Sequence, residues 1–555
     1  MDRVAPDALP RSLMAWPPFL WSRVLFPGDR PSANQPHRLF SLLMLLFLPA
    51  LLLYPCLSFP LLEPDESRYA EIPREMLQHG DWITPRLQGE PYLEKPPLLY
   101  WITAVSFQVF GVHDWAARLP PALAIHGSIL VLYFFGRRTF GERAAFWGAL
   151  TLSLAPGFVS IGRLLIIDGI LTFCATLALF SAFEAVRGPR LRWAWWLLAA
   201  VACGLGVLAK GPVALALLAP PLALHRWLSG RSLPVTRWAV AAFLAVAAGL
   251  NVPWYAALCL RAPEFAYTFF WEHNVMRFLT PFAHERGVWF YGPVLLLGLL
   301  PGTLLLWPFL RFLGSSDAAT AHRRPQELGF LLLAGGWCVL FFTLSACKLP
   351  TYILPAFPPL ALALGWFVTQ SNWGRSRWPG IAAATAFLLM AGFHHVAAPW
   401  YADYRSPMHH PEEVRRLCAD QSQPVVCYPR NCDSVAFYLG RDDLRSYRSK
   451  DIDDLRKLVR ENPRTVILCT HRHSRQALHE LLPPEVRIVE EVHVGLEELR
   501  WAPGPLKKGL AVLMGETALG LSDLAVVECA HPIAHTAPTS RADAPLLADL
   551  MDDEP

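Results

Sequence analysis

A chain of 555 residues, 54% hydrophobic and only 17% charged, departs from soluble proteins, in which about a quarter of residues are charged. Its apolar residues come in blocks of roughly 17–25, the length that crosses about 30 Å of hydrocarbon, which excludes an ordinary soluble enzyme. The net charge of +4 says little by its sum, and the eleven cysteines include no CxxC pair and no zinc-finger spacing.

The residues before Leu39 carry scattered arginines but no short apolar core with a cleavage site, and are not expected to act as a removable signal. Crossings are predicted at about 39–59, 118–136, 143–160, 164–186, 193–209, 211–229, 236–260, 289–312, 327–345, 350–369 and 378–399. The apolar stretch 97–111 is short, and charge decides its status. With 97–111 as a juxtamembrane helix, alternate loops carry Arg137, Arg138 and Arg143; Arg187, Arg190 and Arg192; Arg226, Arg231 and Arg237; Arg311, Arg323 and Arg324; and Arg375 and Arg377. These loops are cytoplasmic by the positive-inside rule. The other set then faces outward and holds loop 60–117, Asp168, Lys210, loop 261–288 and the Lys348–Tyr352 turn.

The first outer loop opens Glu63-Pro64-Asp65-Glu66-Ser67-Arg68-Tyr69-Ala70-Glu71. Asp65 fits a helix N-cap, Pro73 a kink or a second helix start, and His79-Gly80 a stop. Further on, Tyr92-Leu93-Glu94-Lys95-Pro96-Pro97 sets a charged pair just before an aromatic, apolar stretch suited to the membrane interface. Charges at the ends of apolar segments are costly, so they point to function.

Two motifs carry a resemblance: Asp65-Glu66-x-Arg68-Tyr69-Ala70-Glu71 with Gly80-Asp81-Trp82, and Tyr92-x-Glu94-Lys95-Pro96-Pro97-Leu98-x-Tyr100-Trp101. Together they resemble the bacterial aminoarabinose transferase and protein mannosyltransferase-like group of GT-C glycosyltransferases, over roughly residues 39–400. The resemblance implies a polyprenyl-phosphate sugar donor, with Asp65 as the central active-site acid. It implies Arg68, Tyr69, Tyr92 and Lys95 at the lipid-phosphate site and Glu94 as a metal ligand. The chemistry agrees: a phosphate leaving group needs cations at developing negative charge, and Arg and Lys supply them. A carboxylate would deprotonate an acceptor hydroxyl or stabilise oxocarbenium character; with an ionised phosphate as acceptor, no base is needed.

In Gly162-Arg163-Leu164-Leu165-Ile166-Ile167-Asp168 a carboxylate stands in an apolar run; an Arg163–Asp168 pair is the structural alternative to a site role. Lys210 either snorkels to the interface or, as the resemblance suggests, contacts the donor phosphate. The resemblance makes Asp168 a second active-site carboxylate and joins His273 to Glu94 as ligands of a divalent metal, zinc or magnesium. On spacing alone, no HxxxH or HExxH within loop 261–288 supports a metal. Arg277 matches a phosphate contact, and His284 is a further possible ligand. Tyr352, in Ser345-Ala346-Cys347-Lys348-Leu349-Pro350-Thr351-Tyr352, is either an interface anchor or a carrier-phosphate contact.

After Tyr401 the composition turns mixed and charged. Strands at 425–428, 465–469 and 486–489 alternate with helices at 434–439, 452–460 and 475–482, as in a small α/β domain. Cys427 and Cys432 are candidates for a disulfide, with Cys418 and Cys469 as other partners. The expected whole is a mainly α polytopic membrane protein of about 11–13 transmembrane helices and GT-C architecture, with a small C-terminal α/β extracytoplasmic domain. Its parts are a transmembrane region 1–400, a periplasmic domain 401–502 and a mobile tail 503–555. No glycine-rich phosphate loop is present, which argues against a nucleotide donor. The expected reaction is inverting transfer of 4-amino-4-deoxy-L-arabinose from undecaprenyl phosphate to lipid A phosphate at the inner membrane's periplasmic face. The enzymatic alternative is O-mannosyl transfer to Ser/Thr of a protein. A lipid-linked sugar transporter would place its ionisable groups at mid-membrane rather than at outer helix ends.

Overall fold

In hydrocarbon a chain must satisfy its backbone hydrogen bonds internally, so the apolar blocks fold as helices. The computed structural model describes residues 35–529 apart from 231, 281–283, 372–375, 407, 409–410, 430, 470–479, 481 and 494–522. Helix α1 (Gln35–Leu53) leads into a loop that holds α2 (Asp65–His79), a short hairpin of β1 (Arg86–Leu87) and β2 (Glu90–Pro91), and α3 (Leu98–Phe110). With 13 residues α3 is about 20 Å long, too short to cross, as the arginine alternation required. Pro73 lies inside one continuous α2, and Gly80 ends that helix in the left-handed conformation.

Next come α4 (Asp114–Phe140), the bent pair α5 (Glu142–Ser153) and α6 (Pro156–Gly162), α7 (Ile167–Val186), α8 (Trp193–Lys210), α9 (Val213–Leu228) and α10 (Arg237–Arg261). A π-helical stretch, Ala266–Met276, precedes a second bent pair, α11 (Tyr291–Gly298) and α12 (Leu306–Gly314). Then follow α13 (Gln326–Leu344), α14 (Phe357–Gln370), α15 (Trp378–Gly392) and α16 (Ala398–Arg405). Among the described residues seven helices are long and apolar enough to cross, or nine if each bent pair is one span. The shorter apolar helices α1 and α9 occupy the two remaining predicted crossings. Packing is close where residues are small: a Cβ on Gly365 of α14 would collide with the Gly148 backbone of α5.

The two ends of the bundle differ as the charges predicted. At one end Arg138, Arg187 and Arg192, from two separate loops, converge on the buried Glu184 at 2.9–3.0 Å. At the other, Arg118 of α4 and Glu66 of α2 form a buried two-pronged ion pair, 2.7 and 2.6 Å. Arg118 also donates to the carbonyls of Leu57, Phe59 and Pro60, while Glu66 accepts from the Leu62 and Leu165 amides. Burial alone would raise the Glu66 carboxyl; Arg118 overcomes it and holds the group below its usual range.

Beyond α16 lies the α/β unit: α17 (Pro411–Cys418), β3 (Val425–Tyr428), α18 (Asp433–Leu439), β4 (Arg445–Ser446), α19 (Ile452–Glu461), β5 (Arg464–Cys469), β6 (Val486–His493) and β7 (Asp523–Cys529). The sheet order is β4-β3-β5-β7-β6, parallel through its first three strands and antiparallel beyond. Three strands and two helices fall where predicted; most of the helix expected at 475–482 lies outside the described residues. β7 departs from the reading of 503–555 as a tail, since it sits between β5 and β6 inside the sheet. Its apolar run, Leu524–Val527, is too short to show a period on its own. All eleven cysteines are free thiols; Cys427 and Cys432 are hydrogen-bonded to each other, which with burial pushes the Cys432 thiol well above its ordinary value.

Helix α18 docks this unit on the loop between α1 and α4. Phe437 meets Phe107 with ring centroids 6.0 Å apart. The Tyr438 hydroxyl accepts from the Leu61 amide and donates to Asp114, both at 2.9 Å, and the Ser434 amide donates to Glu63 at 2.7 Å.

Candidate active site

One cavity of about 740 Å³ opens at the end of the bundle that holds the Glu66–Arg118 pair. Asp65, Arg68, Tyr69, Tyr92, Glu94, Lys95, Asp168, Lys210, His273, Arg277 and Tyr352 all line it, as does His284. These twelve residues, singled out from the sequence, therefore share one cavity, although they come from six separated segments.

Local structure explains each position. Pro64 takes the N-cap of α2, so Asp65 is the first helical residue and not the cap that its sequence suggested. Its carboxylate makes no capping bond, stays exposed and sits at the positive end of the helix dipole. One turn later α2 presents Arg68 and Tyr69. The segment before α3 brings Tyr92, whose hydroxyl donates to Glu94 at 3.0 Å, and Lys95. Asp168 stands in the first turn of α7 and receives Lys210 Nζ, from the end of α8, at 2.5 Å. That pair replaces the Arg163–Asp168 alternative: Arg163 is buried over Phe59 and donates to the Cys56 carbonyl. Lys210 Nζ also lies 4.1 Å from the centre of the Tyr352 ring. Lys348, by contrast, is absent from the lining, and its Nζ donates to the Ser345 carbonyl.

Electrostatics set the character of the space. Four cations, Arg68, Lys95, Lys210 and Arg277, face three carboxylates, Asp65, Glu94 and Asp168. Burial pushes Lys95 down to about 8, with Glu94 opposing and Arg277, Lys210 and Arg68 adding. Burial also pushes His273 down to about 4, helped by Lys95, so its imidazole is neutral at physiological pH. Glu94 stays below its usual range: burial would raise it, but Lys95 leads the charges that outweigh that effect.

His273 rides on the π-helical stretch, and its Nδ1 is buried without a hydrogen-bond partner. A neutral imidazole with a free nitrogen beside an ionised carboxylate fits a divalent ion. Among the described residues no group of three or more His, Cys, Asp or Glu gathers for a metal, so the protein's share would be Glu94 and His273. Apolar side chains complete the lining, among them Ile166, Val213, Phe269, Phe278, Leu279 and Phe341. Sequence reasoning missed Asp433, whose Oδ2 lies 3.7 Å from Arg68 Nε; nothing in the local sequence links the two. Burial, with Glu63 adding, raises Asp433 to about 7.

A helical membrane bundle with a charged cavity at one end and a C-terminal α/β unit defines a polytopic protein of GT-C architecture. Comparison with known proteins narrows this. Residues 38–269 match the family described as dolichyl-phosphate-mannose-protein mannosyltransferase. The undecaprenyl phosphate-alpha-4-amino-4-deoxy-L-arabinose arabinosyl transferase of Erwinia tasmaniensis is 33% identical over 391 residues, 67% of each chain. That of Aeromonas salmonicida is 38% identical over 329 residues, 58% of each. The crystal structure of ArnT from Cupriavidus metallidurans bound to undecaprenyl phosphate shares the fold, with a TM-score of 0.69 at 20% identity, over 89% of this chain and 98% of that one. The chain belongs to the family of undecaprenyl phosphate-aminoarabinose arabinosyl transferases. The matches span about 60% of the length of several of these relatives.

Gly211 joins α8 to α9 at φ 90° and ψ −159°, a conformation open essentially to glycine alone. A Cβ there would lie 2.8 Å from the Phe269 ring and 3.3 Å from Asn274 Oδ1. Gly211→Ala should therefore cost about 2–4 kcal/mol and displace Lys210. Thermal unfolding of the purified protein in detergent checks this: an unchanged midpoint would mean that Phe269 yields freely.

Proposed function

We propose that this protein transfers 4-amino-4-deoxy-L-arabinose from undecaprenyl phosphate to a phosphate of lipid A, with inversion, on the periplasmic side of the inner membrane. The observation that carries the reading is a cavity whose lining joins four cations to a set of aliphatic and aromatic side chains. Such a space suits an amphiphile with a phosphate head and a hydrocarbon tail. The relatives' printed names supply the sugar and the carrier.

Arg68, Lys95, Lys210 and Arg277 receive the carrier phosphate, with Tyr69, Tyr92 and Tyr352 as further polar contacts. Lys95, held near 8 by its burial among cations, is relieved when an anion enters. As the C1–O bond to the carrier breaks, the electron pair passes to the phosphate oxygen, where these cations stabilise it. An acceptor phosphate oxygen attacks C1 from the opposite face, and no proton need be removed from it. Asp65 has no hydrogen-bond or ion-pair partner among the described residues, so its charge is available to the sugar. It stabilises oxocarbenium character and attracts the protonated amine; Lys210 holds Asp168 in place as the second carboxylate. Glu94 and His273 would hold a divalent metal, which when bound supplies a further positive charge to the phosphate.

The test is transfer by the full chain in detergent, offered undecaprenyl-phosphate aminoarabinose with lipid A, or mannosyl carrier with a Ser/Thr peptide. Transfer of aminoarabinose to lipid A is expected, reduced roughly 10²–10⁴-fold by Asp65→Asn without loss of thermal stability. Transfer only of mannose to peptide, which the family match over 38–269 would favour, replaces this reading. For orientation, cysteines placed at the exposed Glu90 and Arg190 are to be labelled in intact cells by a membrane-impermeant maleimide, against the wild-type background. Labelling at 90 and not at 190 is expected; the reverse pattern puts the cavity in the cytoplasm. For the metal, its content in purified wild-type protein should fall in both Glu94→Gln and His273→Ala. Equal content in all three removes the metal from these residues.

A further inference from the structure

We infer that Asp433, on the C-terminal domain, is a positioning residue that aims Arg68 at the donor phosphate, so that this domain completes the donor site. The inference rests on the proposed polyprenyl-phosphate donor.

Asp433 is fully buried in the first turn of α18. Its Oδ1 accepts from Gln88 Nε2 at 2.8 Å, which fixes the carboxylate plane, and its Oδ2 faces Arg68 Nε at 3.7 Å. Both Asp433 Oδ2 and Arg68 Nε are buried without a hydrogen bond. A buried charge that lacks a hydrogen bond is held by its counter-charge, and each of these two groups is the other's nearest opposite charge across the domain junction.

The junction holds other carboxylates, and each is already engaged. Glu63 accepts from the Ser434 amide and the Ser67 hydroxyl, Glu71 takes both prongs of Arg74, and Glu75 accepts from the Gln88 and Gly89 amides. Among the described residues, Asp433 is the carboxylate of this junction that forms an ion pair with Arg68. With Nε drawn back toward the domain, the two terminal nitrogens of the guanidinium are left for an anion in the cavity, the arrangement that lets arginine bind a phosphate by two parallel bonds. Without Asp433, the carboxylate that acts most on Arg68 is Glu94, inside the cavity itself. Arg68 would then turn to Glu94 and be withdrawn from the phosphate.

A double-mutant cycle tests this by equilibrium binding of undecaprenyl phosphate to the full chain in detergent. Asp433→Asn should weaken binding about tenfold, Arg68→Ala at least as much, and the double variant no more than Arg68→Ala alone. Asp433→Glu, which keeps the charge, should retain most of the affinity. Should Asp433→Asn lower the melting midpoint, Asp433→Ser takes its place in the cycle. Unchanged affinity in Asp433→Asn, or an equal loss when Arg68 is already alanine, overturns the inference and leaves the donor reading intact. Failure of the wild-type chain to bind undecaprenyl phosphate overturns both.

Discussion

The buried pair between Glu66 and Arg118 is the constraint on which the rest of the site depends. Removing one partner of such a pair costs about 3–5 kcal/mol, because the other charge is left uncompensated in a low dielectric. Here the pair does more than offset its own desolvation. Arg118 gathers three carbonyls of the turn after α1, and Glu66 reaches both the Leu62 and Leu165 amides. One carboxylate thereby ties the start of α2 to the segment that enters α7. Asp65 precedes Glu66 by one residue and Asp168 follows Leu165 by three, so the spacing of the two candidate catalytic carboxylates is set by a pair that touches no substrate.

Much of this was legible in the sequence, for physical reasons. Crossings announce themselves by length and composition, because every residue in hydrocarbon must be apolar. Arginine alternation fixed the status of 97–111, and α3 has the short length that reading required. Asp168 and Lys210 were legible because a charge at the end of an apolar run is expensive and seldom incidental, whereas Tyr69, Tyr92, His273 and Arg277 were picked out by the resemblance. What stayed hidden were contacts made across long separations. Asp433 reads as a helix-start residue in a mixed-composition domain, and only its docking beside Arg68 gives it a further meaning. Strand β7 was hidden for a related reason: four apolar residues gain their identity as a strand from β5 and β6 on either side. The pairing of Asp168 with Lys210 rather than Arg163 likewise depends on how α7 and α8 pack.

The loop between α1 and α4 is bound from both sides. From the membrane side Arg118 holds Glu66; from the far side α18 brings Ser434 to Glu63, Tyr438 to Leu61 and Asp114, and Asp433 to Gln88 and Arg68. Helix α2 carries polar contacts on more than one face, and ten of its fifteen residues are buried although it spans nothing. That explains its composition. A helix held between a membrane bundle and a water-facing domain cannot be apolar throughout, so it is fastened by ion pairs and amide-to-carboxylate bonds.

The electrostatic features of the cavity share one cause. Four cations and three carboxylates share a space also lined by aliphatic and aromatic groups, which lowers the local dielectric. Burial makes Lys95 give up part of its affinity for a proton and His273 nearly all of its own, and the neighbouring cations add to the effect. Lys210 pairs with Asp168 and lies over Tyr352, and Glu94 remains ionised because Lys95 stands beside it. A site in this condition is short of negative charge in the amount that a phosphate brings. In the proposed reaction the head of the carrier lipid would neutralise the excess, and the departing phosphate would gain the same stabilisation more strongly as its charge grows. For the proposed donor, the field that would draw it in is therefore the field that would stabilise its cleavage.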